Sequence, residues 1–147
     1  MKKLLKILTL ILSIVLLSTF MVACSKSPTL KEAKKNFKNE DYIIEDEEID
    51  LEQFAYLLDM DIDDYESFLM AYDEDMEEGV IAFLFEKKSE ANDFQEQLTD
   101  AVQDKIDDLL DEDFDDQAEA LQGAVIYRVG KWVLFGTTDV IEIFQGE

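Results

Sequence analysis

Asp59-x-Asp61-x-Asp63 and Asp111-x-Asp113-x-Asp115 place carboxylates at alternate positions. Hard oxygen ligands at that spacing can surround a calcium ion, and an EF-hand loop also needs Gly at its sixth position and Glu at its twelfth. The first run has Asp64 and Met70 there, and the second has Asp116 and Gln122. Both runs therefore read as solvated turns, where Asp is common because its side chain bonds the local backbone. Asp59, Asp61 and Asp63 are kept as the weak metal candidates of the chain. Two carboxylates can also hydrolyse a glycoside, but among 36 acidic residues the existence of a pair carries no information. Histidine is absent. That removes the usual general base, the usual zinc ligand and any Ser-His or Cys-His dyad. There is no P-loop and no GxGxxG. The expectation is no enzyme and no cofactor.

The remaining chemistry is that of a thiol. Cys24 is the single cysteine, so no internal disulfide can form. Upstream stand Lys2, Lys3 and Lys6, then an almost wholly apolar stretch over residues 4–22, then Ala23. A charged start, an apolar core and a small residue at the cut make a secretory signal. Met21-Val22-Ala23-Cys24 resembles the lipobox of bacterial lipoproteins, in which the thiol is acylated and the chain is cut just before it. The family prefers Leu where Met21 stands. The resemblance implies cleavage between Ala23 and Cys24, a lipid such as palmitate on Cys24, and a site on the outer face of the cell membrane. An uncleaved membrane helix and plain secretion are the alternatives. All three put the remainder outside the cytoplasm.

Charge is uneven along the chain. The formal net charge is −23. Residues 24–38 hold five lysines and one acid, whereas residues 39–120 hold 32 acids and three lysines. Nucleic acid is excluded as a partner, because phosphate binding needs a basic surface. The sign of the body suits a cationic partner or a layer of cations, and it equally suits simple solubility.

These residues need elements to hold them. Ser27 reads as a helix cap with Pro28 at the first helical position. Leu30, Ala33 and Phe37 then mark one apolar face, with Lys31, Lys34, Lys35 and Lys38 on the other side. Those four lysines would contact anionic headgroups close to the lipid, or merely solvate the helix. Tyr42-Ile43-Ile44 is β-like, and residues 51–58 carry a helical apolar face. Residues 68–72 and 80–85 read as a hairpin around an acidic loop, the second run being continuously apolar and therefore central. The longest stripe, Ala91 to Leu109, marks the surest helix. Residues 111–119 read as an acidic loop. Residues 124–127 and 131–135 form a second hairpin turning at Val129-Gly130, and Thr137-Thr138-Asp139 opens a last helix.

The order is α-β-α-β-β-α-β-β-α. The expected fold is α+β, a mainly antiparallel sheet with helices packed on one face and the other face at least partly wet. Residues 1–23 are the signal, 24–29 the lipidated Cys and a short tether, and 30–147 one acidic domain, long enough for a core without disulfides. On the wet face Tyr127 and Trp132 are the candidate partner-binding aromatics, such side chains being the commonest interface anchors. The alternative for Trp132 is a place in the core.

Ala33, Phe37, Tyr42, the strand 80–85, the helix 88–110 and Gly130-Lys131-Trp132-Val133 with Gly136-Thr137 also resemble a loose group of small lipoproteins of Gram-positive bacteria. That group pairs a lipobox with a GKWV-type strand and a Gly-Thr helix start. The likeness implies the topology and brings no catalytic residue. The sequence thus points to a monomeric, lipid-anchored extracytoplasmic protein with a non-catalytic binding or accessory role at the cell envelope. Its partners would be the membrane and a protein of the envelope. An acidic, calcium-type cation-binding surface protein is the alternative.

Overall fold

A computed structural model describes residues 27–146. The signal, its cut at Ala23 and the thiol of Cys24 lie outside the described residues. The chain forms an α+β fold in the expected order, with five helices and a five-stranded antiparallel sheet among the described residues. Helix α1 is Leu30–Asn39, followed by β1, Ile43–Glu45, and α2, Glu48–Leu58. Strands β2, Ser67–Tyr72, and β3, Gly79–Leu84, make the first hairpin. Helix α3, Lys88–Asp111, and the short α4, Asp115–Gly123, lead to the second hairpin, β4, Val125–Val129, and β5, Trp132–Gly136. Helix α5, Thr138–Gln145, closes the described chain.

The sheet runs β1-β2-β3-β5-β4, so the continuously apolar strand β3 is indeed the central one. Its residues, with Phe85 just past its end, alternate between two cores. Ile81, Phe83 and Phe85 pack with Phe94, Leu98, Val102 and Ile106 of α3, and with Leu51 and Leu58 of α2. Val80 and Ala82 pack with Ala33 and Phe37 of α1, and with Val140, Ile141 and Phe144 of α5. Successive strand side chains point to opposite faces, so these clusters lie on opposite sides of the sheet. The expectation of helices on one face is therefore corrected: α2 and α3 cover one face, α1 and α5 the other. A strand apolar at every position needs cover on both sides.

Two local expectations also change. The cap of α1 is Thr29 and not Ser27: Glu32 N donates to Thr29 Oγ1 at 3.2 Å, and Thr29 N donates back to Glu32 Oε2 at 2.8 Å. This reciprocal box satisfies two amides at once. The run 111–119 is only partly a loop. Asp113 turns the chain at φ 63, and α4 starts at once with Asp115 and Asp116 in its first turn. Carboxylates there face the positive end of the helix dipole.

The tether expected at 24–29 is docked over its last three residues. Pro28 is buried, and its carbonyl accepts a 2.8 Å bond from Trp132 Nε1. Gly130, at φ 57 in the β4–β5 turn, allows Ser27 to lie close: a Cβ there would meet Ser27 Oγ at 2.9 Å. No helix among the described residues is long and apolar enough to cross a membrane.

Candidate functional site

Helix α1 keeps its apolar positions for the core, with Ala33 and Phe37 fully buried. That orients the lysines. Lys31, Lys34, Lys35 and Lys38 line one shallow groove together with Leu30 and Asn39, so the structure brings all four to one surface. Lys34 is anchored within it by a 2.9 Å ion pair to Asp46. A hydrogen bond and the charge of Lys34 hold the Asp46 carboxyl below the usual carboxylate range. Lys31, Lys35 and Lys38 are exposed and join no ion pair among the described residues.

The aromatic candidates do not form a surface. Tyr127 is 3% exposed and Trp132 1%, both packed in the core beneath α1 and α5. Trp132 meets Phe144 edge-on at 5.1 Å. The reading of Tyr127 and Trp132 as partner-binding residues is therefore corrected. The face that was expected to be wet is covered by α1 and α5. Large apolar side chains are exposed elsewhere, chiefly Tyr56 and Leu57 on α2, Met76 in the β2–β3 loop and Phe114 before α4.

The weak metal candidates lie at the surface. Asp59, Asp61 and Asp63 are exposed, and no group of three or more acids among the described residues is placed to hold a metal ion. Asp59 does conformational work instead, ending α2 in the left-handed region at φ 50. Asp commonly takes that region because its short side chain can bond locally. No polar or charged residue among those described is fully buried.

A second basic locus escaped the sequence reading. At one end of the sheet, where β2 begins, β3 ends and β4 turns into β5, lies a cleft of about 510 Å³. Ser27, Pro28, Thr29, Lys88, Arg128 and Lys131 line it, with Glu66 as the single acid. The positions come together because the register sets Leu84 against Trp132 and the hairpin sets Val129 against Trp132. Lys88 is the first residue of α3, and Thr29 caps α1, so two helix N-termini adjoin the cleft. Arg128 is the only arginine of the chain, and its Nε is buried without a hydrogen-bond partner. One signal for it existed: a lone arginine within an otherwise apolar strand of an acidic chain.

Tyr42 and Tyr72 tie the opposite end together. The Tyr42 hydroxyl donates to Glu78 Oε2 at 2.6 Å and that of Tyr72 to Glu45 Oε1 at 2.8 Å. Burial first, then the Glu78 hydrogen bond, raises the Tyr42 phenol well above its ordinary range. These phenols brace β1 against the hairpin, a structural task.

No family model, curated protein or solved structure matches the chain.

Proposed function

We infer that this is a lipoprotein of the type found in Gram-positive bacteria, anchored by acylated Cys24 on the outer face of the cell membrane. It would act there without catalysis, as a binding or accessory protein. The observation that carries this reading is the placing of charge relative to the anchor. The docked segment starts at Ser27, three residues after Cys24, and the exposed lysines of α1 follow within the next eleven. The 32 acids of residues 39–120 lie beyond them. A chain held by its lipid beside anionic headgroups gains from such an order, since each basic residue near the surface is attracted by about 1 kcal/mol and the acidic body is repelled. The absence of histidine from the sequence, which removes the usual general base, is the ground for a role without acid–base catalysis.

The test is metabolic labelling with radioactive palmitate in a Gram-positive host, for wild type and Cys24→Ala, with partition into a detergent phase. The reading expects label and detergent partition for wild type, and neither label nor a shortened chain for the variant. Equal partition with no label in wild type would favour an uncleaved membrane helix.

A further inference from the structure

We propose that the cleft at the end of the sheet binds a phosphate ester, and that in the anchored protein this is the headgroup of an anionic phospholipid. The site rests on three observations. First, acids outnumber bases 36 to 13 in the whole chain, yet Lys88, Arg128 and Lys131 line one cleft with only Glu66. Second, these three cations are absent from the ion pairs of the described residues, which are Lys34–Asp46 and Lys87–Glu90. Where acids are in such excess, cations that converge without taking one are free for an anion from outside. The charge-assisted bonds they can give a phosphate are stronger than neutral ones, and arginine can give two in parallel. Third, the starts of α1 and of α3 adjoin the same cleft. The dipole at a helix start favours an anion, although Glu32 and Glu90 already cap these two starts, so the three cations carry the site. Glu66 fits as acceptor for a hydroxyl on the ester.

Position selects the source. Ser27 is part of the wall, and three extended residues reach at most about 10 Å from Cys24. The headgroup layer on one side of a bilayer is roughly 5–7 Å deep. The Ser27 edge of the cleft can therefore reach the headgroup layer. This last step rests on the anchor proposed above, whereas binding of a phosphate ester does not.

Trp132, the only tryptophan, lines the cleft and reports on it. The full chain in non-ionic detergent would be titrated with sn-glycerol 3-phosphate, against sodium chloride at matched ionic strength. It would then be transferred to nanodiscs of phosphatidylglycerol or of phosphatidylcholine. The proposal expects a saturable change in Trp132 emission with glycerol phosphate but not with chloride, and the same change in phosphatidylglycerol discs only. Lys88→Gln/Lys131→Gln, both at exposed positions, should weaken the soluble titration at least tenfold while the melting temperature is kept. Arg128→Gln should do the same if it folds. Lys31→Gln/Lys35→Gln/Lys38→Gln should leave the soluble titration unchanged. Saturation by glycerol phosphate without preference between the discs would keep the cleft and overturn the lipid as its source. An emission change that follows ionic strength alone, or one that Lys88→Gln/Lys131→Gln leaves intact, would overturn the site. Because the soluble titration needs no acyl chain, it separates failure of the cleft from failure of the anchor.

Discussion

Trp132 shows how a single side chain joins distant parts of this chain. Its ring fills the core against Phe144, and its Nε1 donates to the carbonyl of Pro28, 104 residues away in sequence. Trp132→Phe would leave that carbonyl without its buried donor, at a cost of about 1–3 kcal/mol. Urea unfolding followed by circular dichroism checks this, and an unchanged midpoint would contradict it. Lys34 and Asp46 give a test of charge. The Asp46 carboxyl titrates below its ordinary range because Lys34 bonds it. Its folded value is depressed, so the pair's contribution is present above the unfolded value and is lost as pH falls through the folded one. In Lys34→Met the carboxyl should titrate higher, back toward its ordinary range, by NMR. The residues read first in the sequence fared unevenly. Lys31, Lys34, Lys35 and Lys38 share a surface because the helical repeat alone decides it. Tyr127 and Trp132 could be given to an interface or to a core with equal chemistry, and only the cover supplied by α1 and α5 decides for the core.

At the scale of elements, close backbone approach sets the strictest limits. A Cβ at Gly136 would stand 2.2 Å from the carbonyl oxygen of Gly79 and 2.8 Å from Val80 Cα. Both atoms are backbone of the central strand, so the pairing of β3 with β5 must shift. Gly136→Ala should cost about 1–3 kcal/mol as overpacking, read as a fall in melting temperature. Thr29→Ala removes the capping box of α1 and should cost about 1 kcal/mol. The strands and long helices were legible because each carries its own period: the run 80–85 is too uniformly apolar for an edge, and the stripe of α3 from Ala91 to Leu109 repeats over about five turns. The same run 80–85 also implied cover on both faces, a clue that the polar positions of other strands outweighed. Helix α4 was hidden by its own acids, which look like a solvated loop and act as a favourable first turn.

The molecule as a whole is a sheet between two helical layers with charge graded along the sequence. Acids repel one another through the solvent, so added salt should stabilise the fold by screening, the Debye length falling from about 30 Å at 0.01 M to about 8 Å at 0.15 M. Sodium, magnesium and calcium at matched ionic strength should raise the melting temperature alike, because no acid cluster among the described residues is placed to hold a metal ion. A rise specific to calcium would revive the Asp59, Asp61 and Asp63 reading, since a ligand of the folded state alone must stabilise it. The basic cleft belongs to this scale too. Lys88 stands at the start of α3, whereas Arg128 and Lys131 belong to the β4–β5 hairpin, and the two stretches meet only through the pairing of β3 with β5, which no local pattern announces.

The anchor at Cys24 is the claim on which the orientation of all these surfaces depends. Its most direct test is mass spectrometry of the N-terminal peptide from protein extracted out of Gram-positive membranes. The account predicts a peptide that begins at Cys24, carries a diacylglyceryl thioether and lacks residues 1–23. A peptide that retains those residues, or an unmodified Cys24, would contradict it.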